Sequence, residues 1–302
     1  MKPEIVIIGA AIIDILVRPA SEKVFQAGTY PAQDIRMSTG ADALNEATIL
    51  ARMGKRVCLE AVIGTDAGGD YLRNHCRECG IFVPEHCIQD EIPTGINVVL
   101  VTEDGERAFL TNDHGTLRSL TLEDIEMPFP ESAKIICFAS MFVFPHIDLK
   151  EYTRIFAQAK AQDKILCVDM TRAKHGETEK DLADALGYVD YLFPNEKEAL
   201  LLTRTDTVED AAERFLEVGV KNVIIKGGDK GCYVCNHEEA LWVPAREGVP
   251  CVDTTGAGDS FAAGFQSALL EGKPLIECAR RGNDFGARSV STPGATEWSK
   301  EL

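Results

Sequence analysis

Short apolar runs alternate with helical patterns of apolar residues through the second half of the chain. Such runs are typical of strands that are buried on both faces of a sheet. Strands are predicted at 134–138, 165–169, 191–194 and 222–226. Helices are predicted at about 148–162, 178–186, 195–202 and 207–218. The alternation predicts βαβ units and therefore an α/β fold, a doubly wound and mostly parallel sheet with helices on both faces.

The first part of the chain adds two strand-rich stretches that interrupt this alternation. Strands are predicted at 4–9 and 57–63, and helices at 42–53 and 66–79. The stretches 14–39 and 91–113 lack a helical period, and the second contains two strands around Asp104-Gly105, a strong hairpin turn. Because no repeat or flexible linker separates the parts, residues 1–302 are predicted to form a single domain.

Composition narrows the class of partner. The formal net charge of −17 argues against a nucleic-acid partner, because phosphates would be repelled. It does not exclude ATP, since the local site and Mg²⁺ decide that contact. The apolar run at 5–16 contains Gly9 and Asp14 and is too short to span a bilayer. We therefore expect a soluble cytoplasmic protein with no membrane partner.

The ten cysteines are expected to be free thiols, as in most intracellular proteins. Two Cys-x-x-Cys pairs suggest zinc at first sight. Cys76 and Cys79 lie on one face of a predicted helix, however, and Cys232 and Cys235 lie on opposite faces of a predicted strand. Burial explains the first pair, and the second cannot converge on one ion.

The strongest candidate for chemistry is the run Asp253-Thr254-Thr255-Gly256-Ala257-Gly258-Asp259. Apolar residues follow at helical spacing, at Phe261, Phe265 and Leu269, so the glycines lie where a loop enters a helix. The N–H groups and dipole of a helix N-terminus favour a bound anion. Asp259 there either caps the helix or acts as a base on a group beside the anion. The residues alone leave both roles open.

This run resembles the C-terminal signature of the ribokinase-like (PfkB) carbohydrate kinases. The stretch 40–47 resembles their N-terminal signature, Gly-Gly-x-x-x-Asn-x-Ala; Gly40 and Asn45 match, but Ala41 replaces the second glycine. Further matches follow in order along nearly the whole chain. The resemblance implies a ribokinase-like fold in which 14–39 and 91–113 form a small β-sheet lid over the substrate. In many relatives two lids pack together, which implies a homodimer.

The resemblance also implies roles for individual residues in phosphoryl transfer from ATP. Asp259 would accept the proton of the acceptor hydroxyl, and the N–H groups of the preceding turn would bind the transferring phosphoryl group. The residues of that turn are Gly256, Ala257 and Gly258. The substrate would be bound by Asp14, Gly40, Asp42 and Asn45.

A second group of matches implies the binding of ATP and cations. Its nucleotide-side residues are Asn195, Glu198, Lys226, Gly228, Gly231 and Asn283. Glu198 would hold Mg²⁺ through its waters, because Mg²⁺ gives up its hydration shell reluctantly. Asp253 and Thr255 match positions that help to bind a monovalent cation, usually K⁺. Asn195 could instead be only a helix cap, and the glycines of 227–231 only a tight turn.

Two other functional classes compete with a kinase. A non-catalytic sugar sensor with this fold is disfavoured by the intact glycine turn and Asp259. A dinucleotide-dependent oxidoreductase is disfavoured because the first strand is followed by 9–14, Gly-Ala-Ala-Ile-Ile-Asp, and not by Gly-x-Gly-x-x-Gly.

The predicted acceptor is an unphosphorylated sugar, a pentose or hexose, that is phosphorylated on a hydroxymethyl group. The small and acidic residues of the expected pocket suit several hydroxyls. The lid stretches contain few aromatic residues that could stack a base, chiefly Phe25, Tyr30 and Phe109. A phosphorylated sugar would need a basic cluster, and its candidates, Arg107 and Arg172, have acidic surroundings. A nucleoside kinase remains the main alternative, followed by a sugar-phosphate kinase.

Overall fold

The computed structural model describes residues 2–104 and 106–302, with the side chain of Arg107 left out. Gly105 of the predicted hairpin turn therefore lies outside the described residues, as does the side chain that was considered for a basic cluster. The strands are β1 (Ile5–Gly9), β2 (Ile12–Arg18), β3 (Asp34–Gly40), β4 (Val57–Glu60), β5 (Ile63–Gly64), β6 (Ile88–Gln89), β7 (Ile96–Val101), β8 (Arg107–Thr111), β9 (Ile135–Met141), β10 (Ile165–Met170), β11 (Tyr191–Leu192), β12 (Asn222–Lys226), β13 (Cys232–Cys235) and β14 (Ala240–Val243). The helices are α1 (Lys23–Ala27), α2 (Asp42–Arg52), α3 (Ala67–Cys79), α4 (Leu149–Ala161), α5 (Ala183–Leu186), α6 (Glu196–Thr203), α7 (Val208–Glu217), α8 (Ala257–Leu270) and α9 (Leu275–Val290).

A central sheet organises the molecule. Within the described residues it has eight strands in the order β14-β13-β12-β11-β10-β9-β1-β4. The strands from β4 to β12 run parallel, and β13 and β14 continue the sheet antiparallel at one edge. This arrangement confirms the predicted doubly wound, mostly parallel sheet.

Alternate residues of the central strands point to opposite faces of the sheet, and each face has its own apolar core. Val6 and Ile8 of β1 belong to one core, which α4, α5, α6 and α7 cover. Ile5 and Ile7 belong to the other, which α2, α3, α8 and α9 cover. Strands that are buried on both faces are apolar throughout, which explains why the sequence shows them as continuous runs.

A second, smaller sheet lies apart from the central one. Its order is β3-β2-β7-β8, with β2 and β7 parallel and the outer pairs antiparallel. The four strands fall within or close to the stretches 14–39 and 91–113 that were predicted to form a lid. We refer to this sheet as the lid.

Three local predictions were wrong in extent. The helix predicted at 178–186 is reduced to α5, because Asp181 accepts hydrogen bonds from the backbone and hydroxyl of Thr178 in a turn. The strand predicted at 57–63 ends at Glu60. The lid stretch contains the short helix α1, which its polar and apolar pattern did not predict.

Two further features bear on the sequence-based expectations. All ten cysteines are present as free thiols. Among the residues that the structure describes, no helix is long and apolar enough to cross a membrane.

Candidate active site

Two cavities open at the carboxyl ends of the central strands, where ligands bind in open α/β sheets. The larger, of about 660 Å³, lies between β10, β12 and the N-terminus of α8; we call it the nucleotide cavity. The smaller, of about 400 Å³, lies beneath the lid; we call it the acceptor cavity. The residues that line both are Asp42, Ser140, Thr171 and Asp259. The two cavities therefore meet around a pair of carboxylates.

The N-terminus of α8 lies at this junction. Gly256 caps the helix with a φ of 72°, and a Cβ there would lie 2.5 Å from the Cβ of Ala295, so glycine is required for both reasons. Gly256 lines the acceptor cavity, while Ala257 and Gly258 line the nucleotide cavity. Among the described backbone hydrogen bonds, the N–H of Ala257 donates to Thr254 over 3.3 Å, and those of Gly256 and Gly258 have no acceptor. This turn can therefore bind an anion at the junction.

Asp259 lies in the first turn of α8, but its side chain is not used as a helix cap. Its Oδ2 accepts a 2.7 Å hydrogen bond from Nδ2 of Asn45, which is on α2. Burial, together with the neighbouring charge of Asp42, raises the pKa of Asp259 to about 7, although Asn45 and Lys226 act in the opposite direction. A carboxyl with a pKa close to neutral is suited to accept a proton from a hydroxyl group.

The acceptor side of the junction is built on the lid. Asp14 of β2 lines the acceptor cavity. Burial raises the pKa of Asp14 to about 6, although a hydrogen bond from Asn97 of β7 lowers it. Gly40 of β3 lies behind it, and a Cβ on Gly40 would fall 2.1 Å from the Asp14 Oδ2. The predicted substrate residues Asp14, Asp42 and Asn45 line the acceptor cavity, whereas Gly40 makes room for the Asp14 carboxylate.

Ala41, which replaces the glycine of the family signature, caps α2 in an unusual backbone conformation. Its φ is 77° and its ψ is 149°, a combination that residues with a Cβ rarely adopt. The replacement has therefore kept a glycine-like backbone at this position. The next residue, Asp42, accepts a hydrogen bond from the Ser140 hydroxyl at the junction.

The nucleotide side contains a reciprocal capping box and a buried ion pair. Asn195 caps α6 by accepting from the N–H of Glu198, and Glu198 accepts from the N–H of Asn195. Asn195 is therefore a helix cap that also lines the nucleotide cavity, and its role in binding ATP stays a prediction. Lys226 at the end of β12 contacts Asp169 at 2.5 Å. Burial opposes its charge, but the carboxylates of Asp169 and Glu198 raise the pKa of Lys226, so it stays an ammonium ion.

Lys226 also lies close to the glycine turn. A Cβ on Gly258 would be 3.4 Å from Nζ of Lys226, so the ammonium group lies beside the N-terminus of α8. Gly228 and Gly231 form the tight turn after β12, and Asn283 of α9 donates to the carbonyl of Val243 at 2.9 Å. These three residues line the nucleotide cavity, and their binding of the nucleotide stays a prediction.

Asp253 and Thr255, the predicted monovalent-cation residues, form a compact loop before α8. Oδ1 of Asp253 accepts from the N–H and the hydroxyl of Thr255, and Oδ2 accepts from the N–H of Gly294. Thr255 lines the acceptor cavity. No group of three or more His, Cys, Asp or Glu side chains in the described part of the chain is arranged to hold a metal ion by itself.

The structure adds cavity residues that the sequence did not reveal. Ser140 and Thr171 lie at the junction, and Asn97, Arg118 and Lys174 line the acceptor cavity. Ser140, Thr171 and Lys174 lie at or just beyond the carboxyl ends of β9 and β10, a position that could have indicated them. Asn97 is paired with Asp14 across β2 and β7, which only the strand register reveals. Arg172, once a candidate for binding phosphate, is exposed and is not among the residues described as lining either cavity.

Comparison with known proteins defines the class. Residues 2–301 match the pfkB family carbohydrate kinase, and the chain belongs to that family. It is therefore an ATP-dependent kinase that phosphorylates a hydroxyl group.

Individual relatives differ in what their names say they phosphorylate. The chain is similar to a ribokinase from Thermotoga maritima, with a TM-score of 0.80, 29% identity and 98% of each chain covered. It is 28% identical to a cytidine kinase from Thermococcus kodakarensis, covering 98% of each chain. It is 27% identical to a 2-dehydro-3-deoxygluconokinase from Bacillus subtilis, covering 84% of this chain and 81% of the relative. The names of these three relatives specify three different acceptors.

Proposed function

We propose that this kinase transfers the γ-phosphoryl group of ATP to a hydroxymethyl group of a small unphosphorylated sugar. The observation that carries the proposal is the meeting of two cavities at Asp259, with the glycine turn beside it. A hydroxymethyl group is the least hindered hydroxyl of a sugar, so it can reach Asp259 at the junction while the ring stays in the acceptor cavity.

In this mechanism Asp259 accepts the proton of the attacking hydroxyl, and Asn45 holds the Asp259 carboxylate in position through its 2.7 Å hydrogen bond. The N–H groups of Gly256 and Gly258, which have no acceptor among the described hydrogen bonds, stabilise the negative charge of the transferring phosphoryl group, with the Lys226 ammonium beside them. Asp14 accepts hydrogen bonds from hydroxyls of the acceptor and fixes its orientation.

The nucleotide cavity suits ATP with Mg²⁺, both of which membership of the kinase family implies. The donor set fits a hydrated Mg²⁺: the described hydrogen bonds use one carboxylate oxygen of Glu198, and its other oxygen is left to accept from a metal-bound water. Mg²⁺ neutralises phosphate charge when it is bound. Activity should disappear in EDTA and return with excess Mg²⁺; full activity in EDTA would exclude this part of the proposal.

We also propose that Asp253 and Thr255 help to bind K⁺. Asp253 already carries hydrogen bonds to Thr255 and Gly294, so an ion here would act on the geometry of the loop that leads into α8. Rates should therefore rise when choline salts are replaced by potassium salts at constant ionic strength. Equal rates in the two salts would remove the cation from the proposal.

A nucleoside is the alternative acceptor, and one observation favours it. Phe109 of the lid lines the acceptor cavity and is 60% exposed, so it could stack on a base. The described lining contains no second aromatic ring opposite it, which favours a sugar. The test is kcat/KM for ribose and fructose against adenosine, inosine and cytidine. A nucleoside that is preferred tenfold or more, about 1.4 kcal/mol in transition-state binding, would overturn the sugar proposal and leave the kinase assignment intact.

We further propose that two copies of the chain associate through their lids. Several apolar side chains of the lid are exposed, including Phe25 at 91% and Ile35 at 67%. An open sheet with exposed apolar residues favours pairing with another surface. Sedimentation equilibrium at micromolar concentration should give a dimer, and Ile35→Lys should shift it towards monomer. A monomeric parent protein would exclude this proposal without affecting the catalytic one.

A further inference from the structure

The acceptor cavity contains two basic side chains to which the mechanism assigns no role. Arg118 follows lid strand β8 and comes from a short 3-10 turn at Thr116–Arg118. Lys174 comes from the loop after β10, at the carboxyl edge of the central sheet. The two therefore approach the same cavity from different parts of the fold.

The backbone on each side is held in place close to the cavity. The Thr116 hydroxyl accepts from the N–H of Gly95 at 2.8 Å, and its own N–H donates to Pro93, which fixes the turn that carries Arg118 against the lid. Thr171 donates through its N–H and its hydroxyl to the carbonyl of Met141. Lys174 is three residues further on, so its Cα lies within about 10 Å of this anchor.

Neither cation has a carboxylate partner among the described residues. Acidic side chains outnumber basic ones by 48 to 31, and some exposed cations elsewhere, such as Arg214, Lys230 and Arg288, form ion pairs. In the same cavity, the groups that shift the pKa of Asp14 are Asn97 and Asp42, together with burial, and they include neither cation. Arg118 and Lys174 are thus exposed cations for which the described residues provide no carboxylate partner.

ATP does not account for these cations. The phosphates belong at the glycine turn and Lys226, which are next to the nucleotide cavity, whereas Arg118 and Lys174 line the acceptor cavity alone. An arginine fork and a lysine ammonium group are well suited to bind a carboxylate or a phosphate. Both side chains lie outside the junction, so an anion bound there would leave the reacting hydroxyl free to reach Asp259.

We propose that the acceptor carries an anionic group, a carboxylate or a phosphate, that Arg118 and Lys174 bind in the acceptor cavity. The proposal rests on the proposed kinase function and narrows its substrate to a sugar acid or a sugar phosphate. If the anionic group is a carboxylate, the acceptor is still an unphosphorylated sugar, as proposed above. If it is a phosphate, the acceptor is a sugar phosphate, and the proposal of an unphosphorylated acceptor is replaced.

The test compares neutral and anionic acceptors in matched pairs. The pairs are glucose with gluconate and fructose with fructose 6-phosphate, and 2-dehydro-3-deoxygluconate is added as a keto acid. We expect kcat/KM to favour the anionic member of at least one pair by tenfold or more, and the pair concerned distinguishes a carboxylate from a phosphate. Preference for the neutral member of both pairs, with no turnover of the keto acid, would overturn the proposal.

Variants then test the residues themselves. Arg118→Ala and Lys174→Ala should each raise KM for the anionic acceptor about tenfold or more, with little change in KM for ATP, because one charged hydrogen-bonding partner is lost. Arg118→Lys should restore part of the loss. Arg172→Ala is the matched control, since it removes a cation from the loop of Lys174 without changing the described cavity lining. An equal effect of all three alanine variants would point to net charge and would contradict the proposal.

Binding without ATP separates this proposal from the kinase assignment. The anionic sugars should raise the Tm of the parent protein and of Arg172→Ala, but not that of Arg118→Ala or Lys174→Ala. If none of them is phosphorylated but this binding pattern holds, the proposed reaction fails and the anion site stands. If neutral sugars are phosphorylated and the variants bind like the parent, the anion site fails and the kinase stands.

Discussion

The nucleotide side and the acceptor side of this cleft are built in different ways. On the nucleotide side, each key group lies at the end of a regular element: Ala257 begins α8, Asn195 caps α6, and Lys226 ends β12. On the acceptor side, Asp14 and Asn97 come from two lid strands that are far apart in the sequence, and their contact depends on strand register.

This difference separates the residues proposed for phosphoryl transfer from those proposed for recognition of the acceptor. Phosphoryl transfer needs backbone N–H groups, a base and a cation in a fixed arrangement, and in the proposed mechanism the short run 253–259 supplies much of this arrangement locally. In the proposed mechanism, the acceptor is recognised by side chains collected from the lid and from loops, and these can change without disturbing the helix N-terminus. Relatives whose names specify a nucleoside and a sugar acid are therefore compatible with one shared catalytic arrangement.

The largest expected effect comes from the junction, where the two sides meet. Asp259→Asn should lower kcat by about 10²–10⁴-fold, because the amide cannot accept the proton of the hydroxyl. KM for ATP and for the acceptor should change little, since Asn45 can still donate to the new side-chain oxygen. Steady-state kinetics of the variant, with the exposed Asp206→Asn as control, checks this. Turnover within about threefold of the parent would remove Asp259 from the mechanism.

The lid side can be disrupted separately. Gly40→Ala should lower kcat/KM for the acceptor about tenfold or more and leave KM for ATP unchanged, because its Cβ would overlap the Asp14 carboxylate. The double variant Gly40→Ala/Asp14→Ala tests the cause. Because the double variant lacks the carboxylate, its kcat/KM for the acceptor should be no lower than that of Asp14→Ala alone. The two losses would then be strongly non-additive. Additive losses would show that Gly40 acts through something other than Asp14.

The same contrast explains how far the sequence could predict the site. The parallel sheet follows from continuous apolar runs, and the glycine turn follows from a local pattern that a helix N-terminus requires. The sequence could not place Asn97 beside Asp14, nor bring Arg118 and Lys174 to one cavity, because those contacts depend on register and on loop paths. From the sequence alone, Arg172 is the candidate for an anion site in this loop. In the structure, Lys174, two residues further on, lines the acceptor cavity instead.

A smaller effect is expected from pH. As the base must be ionised, kcat/KM for the acceptor should rise about tenfold between pH 6 and pH 8, following the raised pKa of Asp259 at about 7. The charged groups that face it are Asp42, Asp169 and Lys226. A flat profile over this range would contradict the assignment of the base.

Stability should depend on the same group with a defined sign. The folded pKa of Asp259 lies above its unfolded value of 3.8, so the folded protein binds this proton more tightly. Between about pH 4 and pH 7 the carboxyl therefore makes folding less favourable as pH rises, and above that range the penalty is constant. Asp259→Asn removes it and should raise Tm at pH 8 but not at pH 4. Thermal unfolding at both values, with Asp206→Asn as control, tests this.

The smallest effect is expected at Ala41, where the lid leads into α2. A residue with a Cβ at φ 77° and ψ 149° is strained by about 1–3 kcal/mol, whereas glycine adopts this conformation freely. Glycine also increases the entropy of the unfolded chain, which costs about 0.5–1 kcal/mol. The strain exceeds this cost, so Ala41→Gly should stabilise the protein by about 1 kcal/mol and raise Tm by about 2 °C. Ala51→Gly, the same change inside α2, should instead destabilise by about 1 kcal/mol. Denaturant unfolding of the two variants measures both changes in the free energy of unfolding. A loss of stability in both variants would mean that alanine at position 41 is not strained by its backbone conformation.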